Sequence, residues 1–199
     1  MAVVDYGVGN LRSIRKGLEK SGATVQITHN HDDLRNSDAI VLPGVGAFAP
    51  AVKNMTPITD IVAEAMENGT PILGICLGLQ LLFTRSNEGG SVRGLDFISG
   101  DVVKFPESLK IPQMGWNTID FAQSHPLLEG IKNHSYVYFV HSYYPRPSDP
   151  KVIVTTTEYG ISFASMVIKK NLFATQFHPE KSSKIGLTIL KNFVNIVKR

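Results

Sequence analysis

The chain has 199 residues, enough to bury a substantial core within one domain. Its composition, 43% hydrophobic and 19% charged, excludes wholesale disorder, and a net charge of +3 without any Lys/Arg run gives a nucleic-acid role little support. A single cysteine cannot form an internal disulfide, which fits a reducing, cytoplasmic setting. No apolar run reaches the ~20 residues of a membrane span, and the chain opens into a strand pattern instead of a signal peptide.

Ala2-Val3-Val4-Asp5 predicts a buried strand, followed by the Gly-rich turn Tyr6-Gly7-Val8-Gly9-Asn10. Asn10 can cap a helix carrying Leu11, Ile14 and Leu18, which Gly22 ends. Gly7-Val8-Gly9 lacks the third glycine of a dinucleotide fingerprint and reads better as a tight turn. Strands are predicted over 24–28 and 38–42, the latter running into Pro43-Gly44-Val45-Gly46, a loop with free backbone N–H groups at the carboxyl edge of a sheet. A helix is predicted from Thr56, with Pro57 at its first position and Ile58, Ile61, Val62, Ala65 and Met66 on one face, up to Asn68-Gly69. The next strand runs from Pro71 into Gly74-Ile75-Cys76-Leu77-Gly78-Leu79-Gln80 and then the apolar Leu81-Leu82-Phe83, read as strand, sharp turn and helix start. This alternation predicts an α/β fold with an open, mostly parallel sheet and helices on both faces.

The second half holds strand-like runs over 97–105, 115–121, 136–144, 152–157, 162–168 and 172–177. Lys169-Lys170-Asn171 reads as a hairpin connection, so additional antiparallel strands are expected there. A final helix, capped near Ser182, carries Ile185, Ile189, Phe193 and Val197 on one stripe. No linker or repeat divides the chain, so one domain over 1–199 is expected.

Cys76 stands at the corner between strand and helix, flanked by Gly74 and Gly78. Helix N-terminal N–H dipoles favour a thiolate, and the tight turn is that of a nucleophile elbow. Taken alone, an unpaired cysteine in an apolar stretch is more often a core thiol than a nucleophile. Its companion is Phe177-His178-Pro179-Glu180. Pro179 disfavours helix at His178, so an extended segment is expected, with His178 and Glu180 on one side. A carboxylate beside an imidazole fixes its tautomer, the task of the third member of a nucleophile, base and acid triad. His29 and His31 flank Asn30 in a polar loop, His125 and His134 lie in turns, and His141 in an apolar strand reads as a satisfied core imidazole. No metal site is expected.

The Pro43–Gly46 loop, the Cys76 corner and the Phe177–Glu180 segment, in that order, resemble the triad-type (class I) glutamine amidotransferases, whose fold is flavodoxin-like. Pro112-Gln113-Met114-Gly115-Trp116-Asn117, Tyr138-Phe139-Val140-His141-Ser142-Tyr143 and His178-Pro179-Glu180-Lys181-Ser182-Ser183 are similar to the glutaminase subunits of imidazole glycerol phosphate synthase within that family. Gln113 departs from the histidine common there.

The resemblance implies a glutaminase in which Cys76 attacks the side-chain amide of glutamine, His178 protonates the departing ammonia and Glu180 orients His178. It further implies an oxyanion hole from the Leu77 N–H and the Gly44-Val45 peptide, and glutamine contacts at Gly46, Gln80, Ser142 and Tyr143. No cofactor is implied. The implied partner is a cyclase subunit, a (β/α)₈ barrel that receives the ammonia, met by Asn10, Trp116, Tyr138 and Lys181. Because Gly44 and Gly46 flank Val45, their freedom in φ suggests a peptide switch set by that partner. A glutaminase serving another synthase, a stand-alone γ-glutamyl cysteine hydrolase and a regulatory subunit without turnover are the competing readings.

Overall fold

The computed structural model describes residues 1–199. The first half runs β1 (Ala2–Val4), α1 (Leu11–Lys20), β2 (Gln26–Thr28), α2 (His31–Arg35), β3 (Ile40–Leu42), α3 (Phe48–Met55), α4 (Thr59–Glu67), β4 (Ile72–Ile75) and α5 (Leu77–Leu81). It continues with β5 (Phe83–Ser86), β6 (Val92–Arg93), β7 (Ile98–Lys104), β8 (Gln113–Phe121), β9 (Ser135–His141) and β10 (Tyr143–Pro147). The last elements are β11 (Ile153–Glu158), β12 (Ser162–Lys169), β13 (Leu172–Thr175) and α6 (Ser183–Val197).

Nine strands form one sheet in the order β2-β1-β3-β4-β13-β12-β11-β8-β9. The strands from β2 to β13 in that order pair in parallel, and those beyond pair antiparallel. A second sheet, β10-β7-β5-β6, lies beside it. Successive residues of a strand point to opposite faces, and this sorts the core into two layers. Val4, Ile40, Leu42 and Ile72 pack with Phe48 and Met55 of α3 and Ile61 of α4, whereas Val3, Val41, Leu73 and Ile75 pack with Leu18 of α1 and Phe193 of α6. As expected, the parallel part of the sheet is covered by helices on both faces, and the second half of the chain adds antiparallel strands to it.

Several boundaries differ from the sequence reading. The polar stretch around His31 is helical because the Asn30 side chain accepts the N–H groups of Asp32 and Asp33, capping α2. Thr56-Pro57 does not open a helix but forms the 3₁₀ turn Thr56–Ile58 between α3, which went unpredicted, and α4. The helix after Cys76 is short: α5 stops at Leu81, and the chain enters β5 at Phe83. The run 136–144 breaks at Ser142, where the chain leaves the large sheet as β9 and enters the small one as β10. Lys169 and Leu172 pair across the expected hairpin, with Lys170 at φ 55°, and Asn10 caps α1 by accepting from the Ser13 N–H at 3.3 Å.

Candidate active site

Cys76 has φ 54° and ψ −106°, a strained conformation between β4 and α5 that turns its sulfur out of the sheet edge. Its backbone N–H donates to the Thr175 carbonyl across 2.7 Å, which ties the elbow to β13. Gly78 is required by close approach, because a Cβ there would stand 1.9 Å from the Leu42 carbonyl oxygen. Gly44 packs against the same corner, where a Cβ would meet Leu77 Cβ at 2.6 Å. Gly44 therefore serves packing, and only Gly46, at φ +120° in open space, shows the left-handed freedom expected of both. Tyr6 pins the start of this loop by donating its hydroxyl to the Pro43 carbonyl.

β13 pairs with β4 in the register Thr175↔Ile75, so the residues after Thr175 arrive beside Cys76. His178 is extended, at φ −96° and ψ 97°, but Glu180 belongs to a 3₁₀ turn over Pro179–Lys181. The two side chains thus meet because the chain turns back, not because they alternate along an extended segment. His178 Nδ1 lies 2.8 Å from Glu180 Oε1. His178 is further fixed by its N–H to the Tyr138 carbonyl at 2.9 Å and by the Ser182 hydroxyl, which donates to its carbonyl at 2.6 Å. Burial by itself would lower the imidazole pKa, but the Cys76 sulfur and Glu180 more than reverse it and hold it at about 9. Its Nε2 is buried without a hydrogen-bond partner among protein groups.

A cavity of about 260 Å³ opens at the sulfur, walled by Val45, Gly46, Leu77 and Gln80 on one side and Val140, His141, Ser142 and Tyr143 on the other. The break between β9 and β10 delivers Ser142 and Tyr143 to it. Gln80 is buried, donating Nε2–H to the Tyr143 carbonyl at 3.0 Å and to Gln176 Oε1 at 3.1 Å.

Glu88 also lines the cavity and was not foreseen. It follows β5 in a Gly-rich turn, and nothing local marks it out. It accepts the Phe48 N–H at the start of α3 at 3.1 Å, and burial raises its pKa despite that bond. Gln176, one residue before the Phe177–Glu180 motif, was likewise missed. His141 is buried as expected but only half satisfied: Nδ1–H donates to the Tyr143 carbonyl at 2.8 Å, while Nε2 is unpaired. Burial, aided by the charge on His178 and opposed by the Tyr143 carbonyl, pulls its pKa down to about 4. Gln113 pairs across the strands with His141 and is buried with its Oε1 unpaired.

Trp116 and Tyr138 face each other across β8 and β9, their rings 6.0 Å apart, and Lys181 Nζ stands 5.9 Å from the Tyr138 ring centre. Met114, Trp116 and Tyr136 on the same face are 65%, 52% and 61% exposed. Asn10 is exposed at the head of α1, which packs on the 179–181 turn.

An elbow cysteine, a buried His-Glu pair and an α/β sheet agree with the sequence family that the chain matches. The chain belongs to the class-I glutamine amidotransferases, whose family model matches residues 2–197. Within that family, it is similar to proteins named imidazole glycerol phosphate synthase subunit HisH. The one from Archaeoglobus fulgidus is 50% identical over 200 residues, covering 100% of both chains. Those of Methanocaldococcus jannaschii and Moorella thermoacetica are 48% and 46% identical and cover 99% and 100% of this chain and 100% and 95% of their own. Among solved structures, a glutamine amidotransferase superposes with TM-score 0.78 at 17% identity over 100% of this chain and 99% of its own. PurLQS from Thermotoga maritima gives TM-score 0.78 at 20% identity over 98% and 97%. These two likenesses support the fold. No helix is long and apolar enough to cross a membrane.

Proposed function

We propose that this chain is the glutaminase subunit of imidazole glycerol phosphate synthase. It hydrolyses glutamine to glutamate and ammonia and passes the ammonia to a cyclase subunit that makes imidazole glycerol phosphate and AICAR in histidine biosynthesis. The observation that carries this reading is the His178–Glu180 pair buried behind Cys76, whose sulfur opens on the cavity, in a chain whose full-length relatives bear that subunit's name.

Glutamine enters with its side-chain amide toward Cys76 and its amino-acid end toward Glu88, Gln80 and the Ser142-Tyr143 backbone. The Glu88 carboxylate suits the α-ammonium group. The thiolate attacks the amide carbon, and the oxyanion that forms is met by the Leu77 N–H, free at the first turn of α5, and by the Val45 N–H once its peptide turns inward. His178, charged at neutral pH, gives its Nε2 proton to the leaving amide nitrogen, and ammonia departs from a γ-glutamyl thioester. Water then attacks the thioester carbon, His178 takes its proton, and the C–S bond breaks to release glutamate and the thiolate. Glu180 keeps Nδ1 protonated throughout, leaving Nε2 as the working nitrogen.

The whole chain works as one glutaminase domain in the cytoplasm, where its free thiol stays reduced. Its partner is a (β/α)₈ barrel that covers the face of Met114, Trp116, Tyr136 and Tyr138, with Asn10 and Lys181 at the rim. A stand-alone hydrolase would leave that exposed apolar face without a use. The test is glutamate release by the purified chain, alone and with a cyclase subunit plus its nucleotide ligand, with Cys76→Ala as control. Strong release that requires the cyclase is expected. High release without it would overturn partner control, and none in its presence would overturn the glutaminase reading.

A further inference from the structure

We infer that Gln176 is a further catalytic residue: its side-chain N–H holds the Cys76 sulfur as a hydrogen-bond acceptor, at the end of a buried amide chain whose direction is dictated by the backbone. The inference rests on the reading of Cys76 as nucleophile. Gln176 is 0% exposed, and its main chain is fixed by N–H donation to the Ser165 carbonyl at 2.9 Å.

A side-chain amide can face either way, so its direction must come from its surroundings. It comes from Tyr143. A main-chain carbonyl only accepts, so the Gln80 atom 3.0 Å from it is the donor Nε2. That nitrogen also lies 3.1 Å from Gln176, whose facing atom is therefore Oε1. The NH₂ end of Gln176 is left toward Cys76, with Nε2 3.5 Å from Sγ. His141 Nδ1–H, donating to the same Tyr143 carbonyl, closes the far end of the chain. The neutral thiol has a partner of its own in the Val140 carbonyl at 3.8 Å. The Gln176 N–H, in contrast, favours the thiolate, because a donor to the charged form stabilises that form. Gln80 also belongs to the glutamine contacts, so the side chain that meets substrate is the one that aims the donor at the nucleophile.

The titratable groups around the sulfur are His178 and Glu180 from the turn after β13, Tyr6 after β1, His141 at the end of β9 and Glu88 across the cavity. A neutral substitution at Gln176 changes none of their charges. The test is alkylation of Cys76 by iodoacetamide in the full chain, with the rate followed from pH 4 to pH 8, where His178 stays charged, and expressed as the ratio of the rate on the rising limb to the plateau rate. In Gln176→Leu that ratio falls about tenfold at a given pH on the limb, with the plateau rate unchanged. In Gln176→Glu, which keeps the volume and serves if the leucine variant does not fold, the ratio falls further because a carboxylate faces the sulfur. Ratios equal to wild type in folded variants overturn the inference. Alkylation needs neither glutamine nor cyclase, so its outcome is distinguishable from failure of the glutaminase reading, which glutamate release tests.

Discussion

His178 donates Nδ1–H to Glu180 across 2.8 Å, and the two side chains are 2% and 0% exposed. The second carboxylate oxygen, Oε2, is buried without a partner, so the histidine is the one side chain to which Glu180 bonds. Glu180→Gln is expected to lower kcat for glutamate release roughly 10²- to 10⁴-fold with little change in KM. Steady-state kinetics of the complex checks this.

The same pair sets a pH window. The folded pKa of His178, about 9, lies above the ordinary histidine value of 6.5. Its contribution to stability is therefore complete below pH 6.5 and lost as pH rises through about 9. The charged imidazole is also the proposed acid, so kcat/KM falls on the alkaline side with a midpoint near that value. Urea unfolding at pH 6, 8 and 10 and a pH–rate profile measure the two effects separately.

His141 acts in the opposite sense. Because its folded pKa is about 4, below the ordinary histidine value of 6.5, the unfolded chain binds the proton first as pH falls. Stability is lost between pH 6.5 and 4, on the order of 3 kcal/mol for this group when fully titrated. His141→Gln should flatten that part of the stability–pH curve, which chemical denaturation across the range will report.

The glycines of the site separate into two kinds. Gly78→Ala drives a Cβ to 1.9 Å from a backbone oxygen and is expected to destabilise the chain by more than ~3 kcal/mol. Gly46→Ala meets no atom within 4 Å but must adopt φ +120°, at a cost of about 1–3 kcal/mol. It should chiefly reduce partner-stimulated turnover, and an unchanged stimulation would count against the Val45 peptide as a switch. Thermal melts and cyclase-stimulated release give the two readings.

Glu88→Gln removes the carboxylate proposed to meet the α-ammonium of glutamine. KM is expected to rise about 10- to 100-fold, with kcat much less affected. An unchanged KM would place the ammonium elsewhere.

On the outer face, Trp116→Ala should leave the stability of the free chain within about 0.5 kcal/mol, because the ring is 52% exposed. Binding to the cyclase should weaken by about 2 kcal/mol or more if the ring anchors the interface. Titration calorimetry compares the two quantities.

What the sequence by itself determined is what short-range chemistry encodes. Alternation and 3–4 spacing marked the buried strands, α1 and the terminal helix; Asn10 marked the cap of α1, and Lys169-Lys170-Asn171 marked the hairpin between β12 and β13. Glycines at 74 and 78 marked a corner with a thiol, and the Pro after His178 kept that residue extended. Local signals misjudged α2 and α3, where an Asn cap and a half-apolar stretch were enough for a helix, and the turn that folds Glu180 back onto His178.

Tertiary structure alone decided that β13 enters between β4 and β12, because strand order depends on contacts between distant segments that local periodicity does not carry. That one pairing sets Thr175 against Ile75 and thereby brings both Gln176 and His178 to Cys76. Glu88 reaches the cavity only because the small sheet packs beside the large one, and Gln176 acquires its direction only from a carbonyl on Tyr143. A residue's neighbours along the chain determine its backbone; its chemistry here depends on neighbours that only the folded sheet supplies.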